Sequence, residues 1–162
     1  MHTVDKKEIE NFAKDSHLWW DESGPFRPLH RLNPTRLSYI KDAICEHFDK
    51  DRISFKPYSG LSILDIGCGG GLVCEPMARL GANVTGIDAD QNAIHTARDH
   101  AKDSSLTIDY QCASTDDLTQ RKKTYDVVLA LEIIEHVTDP QKFVSDIAKL
   151  CKPSGIVAGT AV

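Results

Sequence analysis

The sequence predicts an α/β protein whose parallel sheet is doubly wound, with helices on both faces, and three observations carry that prediction. After residue 60, short apolar runs alternate with stretches at helical spacing, in the order strand, helix, strand, helix. The run Ile63-Leu64-Asp65-Ile66 passes directly into Gly67-Cys68-Gly69-Gly70-Gly71, an apolar strand opening onto a glycine loop. Asp88 then closes the next apolar run, about 20 residues past the loop, where nucleotide-binding βαβ units place a carboxylate against a ribose.

Taken in order, the chain begins with a weak helical pattern around Glu8–Ala13 and the aromatic segment Trp19-Trp20. Asn33-Pro34 reads as a cap followed by a first-turn proline, and Leu37, Ile40, Ile44 and Phe48 recur at helical spacing behind it. Residues 49–60 read as a connecting loop. Residues 1–60 are therefore expected to form a helical cap over the sheet, and 61–162 the sheet domain itself. Leu61–Ile66 is the first strand. A helix over Leu72–Leu80 closes at Gly81, and Pro76 fits it only in the first turn, so that helix should start late. Asn83–Ile87 is a second strand ending at Asp88, after which Asp90 caps a helix whose apolar face is Ala93, Ile94, Ala97 and Ala101. Leu106, Ile108, Tyr110 and Cys112 alternate with polar residues as a third strand. Asp126–Leu131, apolar after its first residue, is a fourth strand covered on both faces. Asp139-Pro140 opens a helix with Phe143, Val144, Ile147 and Leu150 on one face. Lys152-Pro153-Ser154-Gly155 then turns the chain into a fifth strand, Ile156–Thr160.

Bulk composition narrows the function. With 162 residues the chain is about one domain, and 41% hydrophobic with 27% charged residues is the balance of a soluble globular protein. A net charge of −5 argues against a non-specific nucleic-acid binder, so no nucleic-acid partner is expected. No apolar run approaches the roughly 18 residues of a membrane span, and Met1–Glu8 lacks the apolar core of a leader. Five cysteines without a C-x-x-C spacing suit a reducing, cytoplasmic compartment. Cys68 reads as a small side chain that fits the loop rather than as a nucleophile.

The loop also speaks to the ligand. Asp65 stands two residues before the first glycine, where it would repel a diphosphate and attract an ammonium or sulfonium. A dinucleotide fingerprint wants a third glycine where Leu72 stands. Both points favour S-adenosylmethionine over a nicotinamide or flavin dinucleotide.

Four blocks carry a resemblance: Trp19-Trp20-Asp21, Pro28 through Arg36, Leu64 through Gly71, and Leu131 through Val137. Together they resemble the class I S-adenosylmethionine-dependent methyltransferases, and more narrowly the O-methyltransferases of ubiquinone biosynthesis. The block Leu29-His30-Arg31-Leu32-Asn33-Pro34-Thr35-Arg36 is the most specific of the four. The resemblance implies a Rossmann-like fold in which Arg36 reaches the cofactor carboxylate and Gly67 and Gly69 admit its methionine part. It further implies that Asp88 holds the ribose, Leu131 lies beside the methionine, and the Ala113-Ser114 loop lies near the adenine. Read without the family, Arg36 is a solvated helix arginine. The sheet of that family has seven strands and continues past the point reached here, so its last strands are expected to be missing. The ending also departs from the family, because Ala161-Val162 stand where an Asn-Arg pair often follows the threonine.

The expected chemistry is O-methylation of a phenol or catechol on a polyprenylated ubiquinone precursor. Glu132-x-x-Glu135-His136 is the candidate for activating the hydroxyl, since spacings of three and four align side chains on a helical turn. The resemblance implies a divalent ion, usually magnesium, at Glu132, Glu135 and His136. The residues alone leave three readings open: a metal site, a metal-free site with His136 and Glu135 as acid–base or positioning groups, and a structural cluster. An apolar substrate implies peripheral contact with the inner membrane (the mitochondrial matrix side in a eukaryote) and association with a quinone-biosynthesis complex. Trp19, Trp20 and Phe26 would touch a bilayer or prenyl tail, or else pack the cap. The alternatives to this function are a methyltransferase of other specificity and a truncated, non-catalytic domain that binds the cofactor or a lipid.

Overall fold

A computed structural model of the chain describes residues 6–161; the leader-free reading of residues 1–5 and the chain end at Val162 lie outside them. Five strands, β1 (Ser62–Ile66), β2 (Asn83–Asp88), β3 (Asp109–Cys112), β4 (Tyr125–Leu131) and β5 (Cys151–Thr160), form one sheet in the order β3-β2-β1-β4-β5. Every pairing is parallel. The connecting helices are α3 (Cys74–Arg79), α4 (Gln91–Asp103), α5 (Thr115–Gln120) and α6 (Pro140–Leu150), preceded by α1 (Lys6–Ala13) and α2 (Arg27–His47) of the cap.

Strand alternation sends successive side chains to opposite faces, and the core divides accordingly. Ile63, Val84, Val127 and Leu129 pack beneath Ile40 and Ile44 of α2, Met77 of α3 and Ile94 and Ala97 of α4. Leu64, Ile66, Ile87, Val128 and Ala130 face Leu118 of α5 and Phe143, Ile147 and Leu150 of α6. The sheet is therefore covered on both sides, as the continuously apolar strands require. Val144, expected on the apolar face of α6, is exposed instead, because it lies about 100° around the helix from Phe143 and misses the stripe.

Several boundaries differ from the sequence expectation, each for a local reason. Helix α2 starts at Arg27 with Pro28 in its first turn and runs through Pro34 rather than starting there. Asn33 is not a cap: its amide donates to Leu72 O (3.0 Å) and its Oδ1 accepts from Arg36 Nε (2.7 Å), so tertiary partners take the groups a cap would have used. The third strand begins at Asp109, where pairing with Thr85 starts, while Leu106 and Ile108 pack against the core from outside the sheet. Strand β5 begins at Cys151, opposite Tyr125, and the expected turn 152–155 is an irregularity within the strand before Ile156 meets Val127. Helix α5 was absent from the expectation. Its signal was the capping box of Ser114 and Asp117, in which each side chain bonds the other's backbone N–H.

The order of strands reverses between β1 and β4. Ligands of open α/β sheets bind outside the carboxyl ends of the strands at such a point. Here that position is shared by the glycine loop after β1, Asp88 at the end of β2 and the segment following β4.

Candidate functional site

Backbone donors at the end of β1 fix the glycine loop. The N–H groups of Gly67 and Cys68 both donate to Ile87 O, at 2.8 and 3.0 Å, tying the loop to the tip of β2. Asp88 is held from two sides, since Gly69 N–H donates to its Oδ2 and Asp90 N–H to its Oδ1, each at 2.8 Å. Asp90 in turn caps α4 through Asn92 N–H and accepts from Ser16 Oγ at 2.5 Å, which anchors the cap to the same corner.

A cavity of about 670 Å³ opens beside this loop. Arg36, Asp65, Gly67, Asp88, Leu131, Glu132, Glu135 and His136 all line it, as do Ala113 and Thr115 after β3. Gly69 is the sequence-named residue that does not line it. Trp19 lies over it, so that a Cβ on Gly69 would fall 2.5 Å from the indole, and the same ring covers Gly70. Gly69 thus makes room for Trp19 of the cap. A Cβ at Gly67, by contrast, would meet Ile133 Cδ1 at 2.8 Å, on the wall of the cavity.

The charges are placed as a zwitterionic nucleoside would need them. Asp65 is 3% exposed, and burial pushes its carboxyl up to about 7 against the thiol of Cys74, which donates to Oδ2 at 3.3 Å, and the charge of Arg36. Burial also raises Asp88 above the ordinary carboxylate range. The same effect lowers Arg36, opposed by the charges of Asp65 and Glu132. Carboxylates at Asp65 and Asp88 fit an ammonium and a pair of ribose hydroxyls, and a guanidinium at Arg36 fits a carboxylate. Cys68 is buried, and desolvation pushes its thiol up to about 11, which makes it a poor nucleophile.

The segment after β4 departs from the helical turn expected of it. Glu132 has a positive φ of 52°, and only Ile134–His136 form a turn, of the tighter 3-10 kind. The spacings of three and four therefore do not align Glu132 with Glu135 and His136. Glu132 Oε1 accepts from Thr160 Oγ1 at 2.6 Å, and Nδ1 of His136 pairs with Glu8. Among the described residues, no three His, Cys, Asp or Glu side chains are grouped to hold a metal ion. The trio as placed does not fit a divalent cation.

The aromatic segment of the cap is packed rather than presented. Trp19 stacks on Phe26 with centroids 3.8 Å apart, and Trp20 stacks on His100 at 3.6 Å while its Nε1–H donates to Gly70 O at 2.9 Å. Sequence reasoning did not foresee this seat on the glycine loop, nor the partnership of Glu8 with His136. Both join segments far apart in the chain and leave no local pattern.

Comparison with known proteins bears on the family. The chain is 52% identical over 155 residues to a ubiquinone biosynthesis O-methyltransferase of Bartonella bacilliformis, covering 96% of this chain and 62% of that relative. It is 50% identical, with the same coverage, to the protein of that name from Brucella melitensis. The chain thus spans a little over three-fifths of the length of these relatives. Among solved structures, magnesium protoporphyrin IX methyltransferase from Synechocystis PCC 6803 with bound SAM superimposes with a TM-score of 0.52. That match has 25% identity and covers 59% of this chain and 47% of the other. Residues 64–159, more than half of the chain and nearly all of the sheet, match the family described as methyltransferase domain. A glycine loop tied to β2, acids at the ends of β1 and β2, and this match over the same residues lead to one conclusion: the chain belongs to the methyltransferase domain family.

Proposed function

We propose that the chain is the cofactor-binding part of an S-adenosylmethionine-dependent O-methyltransferase whose substrate is a phenolic hydroxyl of a polyprenylated ubiquinone precursor. One observation carries the reading. A single cavity joins the charges suited to the cofactor (Asp65, Asp88 and Arg36) to Glu135 and His136 at its rim, under an apolar wall from the cap that includes Phe12, Leu29 and Leu32. The names of the relatives support the substrate class, and the apolar wall suits a prenylated ring.

The cofactor, when bound, supplies a sulfonium methyl group. Asp65 neutralises its ammonium, Arg36 grips its carboxylate, Asp88 takes the ribose hydroxyls and Leu131 closes the apolar side. His136 accepts the proton of the phenol, whose pKa near 10 leaves it mostly un-ionised at neutral pH. Glu135 and the cap would orient the ring so that its hydroxyl oxygen faces the methyl group the cofactor supplies, the ordering from which much of the rate would come. A magnesium ion at Glu132, Glu135 and His136 would require Glu132 to leave Thr160 and His136 to leave Glu8. Turnover that is lost on chelation and in Glu135→Ala is the result that would establish it. No helix among the described residues is long and apolar enough to cross a membrane; the prenyl chain of the proposed substrate is what favours peripheral contact with one. The decisive assay is methyl transfer from labelled S-adenosylmethionine to a short-prenyl catechol by the full chain. Tight binding of S-adenosylhomocysteine without any such transfer would overturn the substrate; no binding would overturn the cofactor.

Asp65 adds a pH dependence of known sign. Near pH 7 the free protein holds its carboxyl partly protonated, whereas a bound ammonium favours the carboxylate. Binding therefore releases a proton, and affinity rises with pH through about 7, by up to tenfold per unit below it. Calorimetry in buffers of different ionisation enthalpy should detect that proton, and Asp65→Asn should abolish it along with the slope. On folding alone the sign is opposite. The folded form keeps a proton that the unfolded chain loses near its ordinary value, so the contribution of Asp65 to stability falls between about pH 4 and pH 7. A flat affinity profile from pH 5.5 to 7.5 would remove Asp65 from the cofactor site.

A further inference from the structure

We propose that Asn33 is a positioning residue for Arg36: it holds the guanidinium by Nε and leaves the Nη1–Nη2 edge for the cofactor carboxylate. The inference rests on the reading of Arg36 as the group that grips this carboxylate.

The two residues stand at a spacing of three on α2, where helical side chains meet. Arg36 Nε donates to Asn33 Oδ1 at 2.7 Å, and Asn33 Nδ2 donates to Leu72 O at 3.0 Å. These partners fix the amide's orientation, because a carbonyl can pair only with its NH2 end and an Nε–H only with its oxygen. Leu72 is buried directly after the glycine loop, and Trp20 Nε1–H ties Gly70 O two residues earlier. Asn33 therefore refers the guanidinium to main chain that is itself anchored, not to another mobile side chain.

Arg36 and Leu72 line the cavity, whereas Asn33 does not. An effect of Asn33 on the cofactor must accordingly pass through its neighbours. Arg36 is 9% exposed, and the charges of Asp65 and Glu132 reach it. Among the described residues, its one hydrogen bond is nevertheless the one to Asn33. With Nε taken, Nη1 and Nη2 remain, and their shared edge matches the paired oxygens of a carboxylate. An arginine side chain has much rotamer freedom to lose, so holding it before the ligand arrives removes that cost from binding. Released from Asn33, the same fork would be free to pair with Asp65 or Glu132, which would hide it from the ligand.

The test compares two ligands that differ only in the carboxylate. S-adenosylhomocysteine carries it, and S-adenosyl-3-thiopropylamine is the same molecule with that group removed. In the 162-residue chain, Asn33→Ala should weaken S-adenosylhomocysteine by about tenfold to a hundredfold, the worth of a hydrogen bond to a charged group. Affinity for the decarboxylated ligand should stay within about threefold of the parent, and its retained binding shows that the variant is folded. In an Arg36→Met background, Asn33→Ala should cost S-adenosylhomocysteine nothing further. The unaltered chain gives a second readout. Its Arg36 Nε–H should exchange slowly with water in 1H–15N spectra before any ligand is added. Equal weakening of both ligands by Asn33→Ala, or an Nε–H that exchanges as freely as that of an exposed arginine, would overturn the proposal. Weakening of both ligands alike by Arg36→Met, or of neither, would overturn the reading of Arg36 on which it rests, while the Asn33–Arg36 bond stood.

Discussion

Gly71→Ala should strip the chain of a large part of its stability. Gly71 holds a φ of +91°, a backbone conformation that costs an L-residue free energy whatever surrounds it. The space is also taken, because an added Cβ would overlap the hydroxyl of Tyr110. Tyr110 has little room to swing away, since it is 3% exposed and its ring fills the space beside Gly86, where an added Cβ would fall 2.8 Å from its Cδ1. Backbone strain of about 1–3 kcal/mol and overpacking of about 1–3 kcal/mol sum to roughly 2–6 kcal/mol. A domain of this size has only about 5–15 kcal/mol in total. The melting temperature should fall by roughly 5–20 °C. Adding Tyr110→Phe removes the clashing oxygen and should recover the steric part of the loss but not the backbone part. A Gly71→Ala protein melting within a few degrees of the parent would show that the loop relaxes where this structure holds it rigid.

Asp88→Asn should have the largest effect on cofactor binding. Both carboxylate oxygens of Asp88 already accept a backbone N–H, from Gly69 and Asp90, and each oxygen keeps a second lone pair for a ribose hydroxyl. An amide offers only one acceptor and turns an NH2 group toward one of the two backbone donors. The fold should lose about 1–3 kcal/mol from that mismatch. Charge-assisted bonds to the two ribose hydroxyls are worth more, and their weakening by about 2–4 kcal/mol corresponds to roughly thirtyfold to a thousandfold in affinity. Calorimetric titration with S-adenosylhomocysteine, at a temperature where both proteins are folded, measures it. Affinity within threefold of the parent would mean that Asp88 serves the loop and not the ligand.

How much of this was legible in the chain depended on how local the cause was. Buried parallel strands announce themselves as apolar runs, so β1, β2 and β4 were readable to within a residue or so, and Gly81 marked the end of α3 as a left-handed terminator should. Helix α2 was misread at its start because the group that looked like a cap, Asn33, is engaged with Leu72 and Arg36. The glycine loop with Asp65 and Asp88 was legible as one corner of a cavity at the strand ends, since its residues are neighbours in the sequence or close successive strands. That Trp19 sits above Gly69 is disclosed by nothing near Gly69 in the sequence. Glu132 illustrates the converse limit. Its spacing from Glu135 and His136 suggested alignment, yet a positive φ turns the backbone between them, and spacing carries no information about that.

The seat of the two tryptophans has a spectroscopic consequence. The chain has only Trp19 and Trp20, and both belong to the cap while resting on the glycine loop. Trp19 is stacked on Phe26 and forms part of the cavity wall, and Trp20 is stacked on the His100 imidazole. The whole indole emission of the protein therefore originates at the contact between cap and loop, with no background from the sheet or the outer helices. The chain carries an intrinsic optical reporter of whether that contact is closed.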